Sequence, residues 1–462
     1  MNFMSLKSKF AASVGKITYR VLHDGFHRGS SLPGKLAYHL DPQVLRELSH
    51  NYRVIIVTGT NGKTLTTALI TKILQEAQFN VLTNPTGSNM VQGITSAFLA
   101  QNKSSLGKDQ PLAVLEVDEA NVEAICRAMT PSAFVLTNIF RDQMDRYGEI
   151  YTTYEKILAG IKLAPQAKLI LNADAAIFNS KSLPNPKIYY GFQNESNSQT
   201  DLRAKFNVDG VLCPQCQSIM HYHLITYANL GDYFCPNCHF HRPSLNYQVT
   251  QVKTLAPHQT QFAIDGQDFS LNVGGMYNIY NALAAYATGR AFGVQPQQIQ
   301  AAFQNNQQIF GRQEVIQLGS KELTIILVKN PVGLNEVLTT LKSDSKPYCL
   351  GFALNANYAD GIDTSWIWDG DFEELPFSQI TSVITAGERN QDINFRFQVA
   401  GVNPQKLHSQ PDLGDFIQVL SKQASEKIYV LATYTAMLQL RKKLNSQGLL
   451  DRKALDSQTS SN

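Results

Sequence analysis

The sequence predicts an α/β protein: a parallel-sheet, phosphate-binding domain with a small cysteine-bearing insertion, followed by a second α/β domain. Three observations predict it. Short runs of aliphatic and β-branched residues alternate with stretches of helical periodicity, first through the N-terminal half and again through the last third. A Gly-Lys-Thr turn lies between one such run and one such helix. Four cysteines form two close pairs where the alternation breaks.

Residues 1–50 read as a helical segment, with Lys7, Lys9, Lys16 and Arg20 spread along "MNFMSLKSKFAASVGKITYRVLHDGF". This stretch lacks the unbroken apolar core of a signal peptide, and no run reaches the ~18 apolar residues of a membrane span. It reads as a surface helix in preference to an amphipathic helix resting on a membrane or partner. "RVIIVTG" then reads as a buried strand and "TTALITKILQEAQ" as a helix with apolar positions three and four apart. "PLAVLEVDEA", "SAFVLTNI" and "AKLILNADA" continue the strands, so ligands are expected at the carboxyl ends of a parallel sheet. From about Gly191 to Tyr247 the pattern gives way to a polar segment. "QFAIDGQDFSLNV" reads as a hairpin turning at Asp265-Gly266, and "MYNIYNALAAYATGRAFG" as a helix ending near Gly293. A middle domain is thus expected over 51–310, with the insertion at about 205–245. "ELTIILVKNP", "KPYCLGFAL", "ITSVITAG" and "KIYVLATY" supply the strands of a C-terminal domain over 311–450, and the polar tail 451–462 is expected to be disordered.

A chain of 462 residues suits two or three domains. Its 40 basic and 37 acidic residues give a charge of +3, too mild to argue for nucleic acid. A cytoplasmic location is expected, and there metal binding explains paired cysteines better than disulfides do. "CPQC" at Cys213 and Cys216 and "CPNC" at Cys235 and Cys238 have the spacing of a two-knuckle zinc ribbon. Four thiolates close a tetrahedral site with no position for water, so the expected Zn²⁺ is structural. His221, His223, His239 and His241 lie nearby, but four sulfurs suffice. The residues between the pairs include no Lys or Arg, which again speaks against nucleic acid. Cys126 and Cys349 read as buried, unreactive thiols.

The turn Gly59-Thr60-Asn61-Gly62-Lys63-Thr64 has the strand-to-helix setting of a phosphate loop. Its glycines let backbone N–H groups approach phosphates, and the helix N-terminus adds partial positive charge. Lys63 is expected to reach the outer phosphates and the Thr64 hydroxyl to ligate Mg²⁺. Glu116, at the end of "LAVLE", is a second candidate Mg²⁺ ligand.

Val57 occupies the place of the first glycine in the general phosphate-loop pattern, so this loop is the short form. It resembles that of the Mur ligase family, ATP-dependent enzymes that join amino acids to cell-wall precursors through an acyl phosphate. "TNIFRDQMDRYGE" is similar to the family's Thr-Asn-x-x-x-Asp-His-Leu-Asp segment, with Asn138, Asp142 and Asp145 at matching places and Gln143 where the histidine usually stands. The resemblance implies a nucleotide contact for Asn281, in "YNIYNALAAYA", and for Arg312, in "FGRQE". Thr60, Asn61, Gly62, Lys63 and Thr64 complete the implied nucleotide site.

The third-domain stretches "LVKNPVGLNEVL" and "LNANYADGIDTSWIWDGDFE" look like one branch of that family, the synthetase subunits of lipid II isoglutaminyl synthase. This implies ATP-dependent amidation of the D-glutamate α-carboxyl in the lipid II stem peptide. It also implies a heterodimer with a GatD-type glutaminase that supplies ammonia, and a location peripheral to the inner membrane face. Asp363, with Asp360 in reserve, is the implied carboxylate orienting the histidine of the partner's Cys-His pair; Asp369 and Asp371 qualify by residue type only. The alternative is a ligase adding an amino acid to a nucleotide-linked muropeptide, which would share the ATP site but need an amine pocket and no glutaminase.

Overall fold

A computed structural model describes residues 4–26, 31–84, 88–101, 110–142, 150–193, 200–205, 208–304 and 314–449, the side chains of 23–26 excepted. Its larger sheet has nine strands. From one edge they run Gln267–Leu271, Gln259–Ile264, Tyr247–Ala256, Lys187–Phe192, Lys168–Asn172, Pro131–Leu136, Arg53–Thr58, Leu112–Glu116 and Val81–Thr83. The first three pair antiparallel with one another, and from Tyr247–Ala256 onward every neighbour pairs parallel. Arg53–Thr58 lies between Leu112–Glu116 and Pro131–Leu136. From that strand the chain fills one side of the sheet first and then crosses to the other. A crevice therefore opens beyond Thr58, where the phosphate loop begins.

The sequence reading missed three of these strands, and Val81–Thr83, only three residues long, is too short to show a pattern. The other two lack a strand's usual signal. "KIYYGF" is half-exposed at its start, and Tyr247–Ala256 is half-buried along most of its length, so neither shows the continuous apolar run of a central strand. The hairpin turns as expected, with Asp265 at φ 49° and Gly266 at φ 83°. Helices Lys63–Glu76 and Met276–Ala291 pack against one another over the sheet. The second is buried from Asn278 to Gly289, and its alanines permit the close approach.

Three helices, Leu6–Phe26, Leu32–Leu40 and Val44–Ser49, precede the sheet and pack on helix Val91–Ala100. The cysteine-bearing insertion forms its own three-stranded sheet of Leu202–Arg203, His221–Tyr227 and Leu230–Phe234. A buried network joins it to the main sheet. The Asp174 carboxylate accepts from Arg242 Nη1 at 2.7 Å, from Phe192 N–H at 2.9 Å and from the Tyr280 hydroxyl at 2.6 Å. Tyr280 in turn meets Thr226 Oγ1 at 2.8 Å.

The C-terminal sheet has six strands in the order Glu314–Leu318, Lys321–Leu327, Lys427–Ala432, Tyr348–Ala353, Ile380–Ala386 and Leu407–Ser409. Only its first pair is antiparallel. Separate apolar clusters cover its two faces.

Candidate active site and zinc ribbon

Side-chain amides and hydroxyls from distant parts of the chain hold the phosphate loop. Asn138 clamps Asn61 from both sides: its Oδ1 accepts from Asn61 N–H at 2.8 Å and its Nδ2 donates to Asn61 O at 3.0 Å. The Thr137 hydroxyl adds a bond to the same carbonyl at 2.8 Å. Thr60 bonds through its hydroxyl to Phe140 O at 3.2 Å and receives Phe140 N–H at 3.0 Å. Gly62 sits at φ 84°, and a Cβ there would lie 2.0 Å from Asn281 Oδ1. Only glycine fits, both for its dihedral and for its neighbour. Asn281 also accepts from the Thr66 hydroxyl at 3.3 Å, so in this arrangement it braces the loop from beneath. Thr64 is the second residue of helix Lys63–Glu76.

Lys63 is held by the protein's own acceptors. It is buried, with Nζ 2.6 Å from Gly59 O and 3.0 Å from Glu119 Oε1. Burial alone would lower its pKa, but Glu119, Asp118 and Glu116 together push it above the ordinary lysine value. Burial pushes the Glu119 carboxyl up in spite of its lysine partner. Three acids around one ammonium leave surplus negative charge, which suits a hard divalent cation. Among the described residues these acids do not converge into a closed metal cage. Mg²⁺ bound through one or two carboxylates and substrate phosphates needs no such cage. Glu116 is buried at the carboxyl end of its strand, with Asn84 pairing its backbone at 2.9 and 3.0 Å.

The third domain reaches this loop directly. Asn330 exchanges two amide hydrogen bonds with Asn61, at 3.0 and 3.3 Å, while its Oδ1 caps helix Pro331–Lys342 by accepting from Gly333 N–H at 2.8 Å. Lys329 pairs with Asp142. Asp142 follows Arg141, whose Nε and backbone N–H both bond Asp209 of the insertion at 2.7 Å. Sequence reasoning missed Asn330, Lys329, Glu119 and Asp209. The Asn-Pro dipeptide was a readable helix-start signal, but its partner in the phosphate loop is a tertiary fact. Arg312, Gln143 and Asp145 lie outside the described residues.

The two candidate aspartates of the third domain differ sharply. Asp360 is buried and accepts from Thr435 N–H at 2.7 Å and Asn357 N–H at 3.0 Å, so its carboxylate is committed to folding that turn. Asp363 is exposed and, among the described residues, bonds its own turn, accepting from Ser365 N–H at 2.8 Å and the Ser365 hydroxyl at 2.9 Å. Exposed Tyr358, Ile362 and Trp368 lie nearby in the chain.

In the insertion, the sulfurs of Cys213, Cys216, Cys235 and Cys238 lie within 4.8 Å of one another. Backbone N–H groups of Gln215 and Cys216 face the Cys213 sulfur, and that of Ser218 faces Cys216. Four sulfurs on two tight turns fit a tetrahedral, closed Zn²⁺ site. Cys126 and Cys349 stand apart, their thiols pushed up by burial to about 12 and about 11.

Comparison with known proteins places this geometry. A Mur ligase middle-domain model matches residues 57–289, and a MurT ligase C-terminal model matches 327–437. Solved structures agree on the fold. A pseudomurein peptide ligase type C from Methanothermus fervidus superposes with TM-score 0.63 at 19% identity, covering 88% of this chain and 81% of its own. The MurF ligase of Thermotoga maritima in complex with ADP gives 0.60 at 13% identity, covering 89% and 85%. Fold and phosphate loop thus define the class, a Mur-type ligase. Within it, the MurT subunit of the glutamine-hydrolyzing lipid II isoglutaminyl synthase of Streptococcus pneumoniae is 45% identical over 447 residues, 97% of this chain and 99% of its own length. The corresponding Staphylococcus aureus subunit is 33% identical over 425 residues, 90% and 93% of the two lengths. The chain belongs to the Mur ligase family, in the branch of the MurT subunits.

Proposed function

We propose that this chain is the ATP-dependent synthetase subunit of a glutamine-dependent amidotransferase that converts the D-glutamate α-carboxyl of lipid II to the isoglutamine amide. Near end-to-end identity to the S. pneumoniae subunit carries this reading. The third-domain match is to the MurT type, which favours amidation over amino-acid addition.

The loop Thr60–Thr64 binds the ATP phosphates through backbone N–H groups and the helix N-terminus. Lys63 leaves Glu119 to neutralise charge on the transferred phosphoryl group. Thr64 and Glu116 would hold Mg²⁺, which would neutralise phosphate charge, and Glu119 faces the same charge cluster. Asn281 packs against Gly62 in its left-handed position, and Arg312 contacts the nucleotide from the third domain. The carboxylate attacks the γ-phosphate, ADP leaves, and ammonia displaces phosphate from the acyl phosphate. Zn²⁺ on Cys213, Cys216, Cys235 and Cys238 is structural. A GatD-type glutaminase supplies the ammonia, and Asp363 orients the histidine of its Cys-His pair. Work on a lipid-linked substrate places the enzyme at the inner membrane face.

The test compares nitrogen sources in the chain co-purified with its glutaminase. Asp363→Asn should cripple glutamine-dependent amidation, with the ~10⁴-fold loss seen on removing such a carboxylate from a serine protease as the upper scale. Ammonia at high pH should restore activity. Equal loss with both nitrogen sources would move Asp363 into the synthetase site.

A further inference from the structure

The N-terminal helices are built inside out. At 3.6 residues per turn, Leu6, Phe10, Ile17 and Val21 fall within about 60° of one another on helix Leu6–Phe26. They are 85, 63, 62 and 57% exposed. The opposite face is Ser8, Ala11, Ala12 and Gly15, all buried. Gly15 lies against Leu99 and Ala37, where a Cβ would come within 2.6 Å of the first and 3.0 Å of the second. The next helix repeats the arrangement. Pro33, Gly34 and Ala37 face inward, with Gly34 N–H donating to Ser96 Oγ at 2.8 Å, while Leu32, Leu36 and Leu40 point outward. An ordinary surface helix hides its large apolar residues and shows its small or polar ones. Both of these do the reverse, and both turn their apolar faces away from the helix Val91–Ala100 on which they sit.

Charge identifies what covers this face. The first 40 residues hold six Lys and Arg and a single acid, Asp24, leaving 34 basic and 36 acidic residues in the remainder. The chain's positive excess thus resides entirely in this segment. On the helical wheel Lys9, Lys16 and Arg20 line one flank of the apolar stripe and Lys7 the other. Leucine, phenylalanine and isoleucine flanked by cations match the boundary of an anionic bilayer, where apolar side chains enter the acyl region and cations meet the headgroups. Among the described residues no helix is long and apolar enough to cross a membrane.

We infer that helices Leu6–Phe26 and Leu32–Leu40 form a docking face for an anionic phospholipid surface. This rests on the proposed action on lipid II and names the surface that brings the enzyme to it. The phosphate loop lies outside the face, so the chemistry stays in water while the substrate remains anchored.

The test uses the full chain co-purified with its glutaminase, and vesicles of phosphatidylcholine with or without phosphatidylglycerol. Wild type should sediment with the anionic vesicles only. Phe10→Glu combined with Ile17→Glu should lower the vesicle-bound fraction at least tenfold with unchanged melting temperature, because both side chains are already exposed. Lys9→Glu with Arg20→Glu should do the same without touching the apolar stripe. Both variants should amidate a soluble, lipid-free stem peptide like wild type and lose activity on vesicle-embedded lipid II. Retained binding in the variants, or equal binding to neutral vesicles, overturns the inference. So does a wild-type dimer that the glutamates dissolve without any vesicle binding, which would assign the face to a second copy. A wild type that binds vesicles and amidates neither substrate would instead defeat the proposed function.

Discussion

The phosphate loop and the zinc ribbon each present a tight turn to a charged guest, but they are held in opposite ways. The residues that fix Thr60 and Asn61 lie 76 to 269 positions away along the chain. In the ribbon each knuckle closes on itself, with Cys213 N–H donating to Ser218 O at 2.7 Å and Cys235 N–H to Phe240 O at 2.7 Å. The ribbon's shape is therefore local and its four sulfurs fit a metal, while the loop's shape depends on residues far away along the chain, Asn330 of the third domain among them. A site that must open for ATP and close for chemistry is better built the second way. A strut is better built the first.

Removing the metal should give the largest effect and break the comparison most directly. Structural zinc contributes on the order of 10 kcal/mol of apparent binding free energy in zinc-finger peptides. Cys213→Ser, or chelation, should abolish amide-exchange protection across 202–242 and leave strand Arg53–Thr58 protected. Unchanged protection in the ribbon would mean that its packing, and not metal, holds it.

Next comes Lys63→Ala, which should lower ATP-dependent turnover by ~10² or more, as loss of other charge-stabilising contacts does. Because Lys63 is buried beside Glu119, the variant should also lose stability, and with a defined pH dependence. Burial raises the Glu119 pKa in the folded state, so its penalty is absent below the unfolded carboxyl pKa, grows as the pH rises from there to the folded one, and is full above it. Melting temperatures of variant and wild type should diverge more at pH 8 than at pH 5. A constant gap would place Glu119 in contact with another cation.

Glu336 marks where the two regions meet. It is buried on helix Pro331–Lys342, which starts at the phosphate loop, and feels Lys205 and Tyr227 from the ribbon's flank. Burial pushes its carboxyl up to about 8. Ionised when unfolded and neutral when folded, it costs stability increasingly between about pH 4.5 and 8. Glu336→Gln should stabilise the protein by about 1–3 kcal/mol at pH 8, and by close to nothing at pH 4.5. Chemical denaturation at both pH values measures this, and equal gains at the two would refute it.

The smallest effect belongs to Asn330→Ala. Loss of the paired amides and of the helix cap together should cost about 1 kcal/mol, read as a several-fold rise in the KM for ATP. In a double-mutant cycle with Asn61→Ala the two changes should not add; additivity would show that the domains meet the loop independently.

The fold was legible because its signals are local: apolar runs, helical periodicity and two knuckles. Gly62 and Lys63 declared a phosphate loop for the same reason. What braces that loop was not legible: the family's motifs mark Asn138 and Asn281 but not as braces, and Asn330 is an ordinary polar residue until topology brings the three together. The outward-facing N-terminal stripe illustrates a subtler limit. The sequence reads this stretch as a plain surface helix, because which face a helix buries is decided by the neighbours it packs on and not by its own residues.

The two remaining cysteines have a practical consequence. Cys126 and Cys349 are buried with raised thiol pKa values, so thiol reagents at neutral pH should find them silent in the native protein. Any label that a native sample takes up then counts empty knuckles. The chain carries its own gauge of metal loading, readable in a colorimetric titration without a chelator and before any assay of turnover.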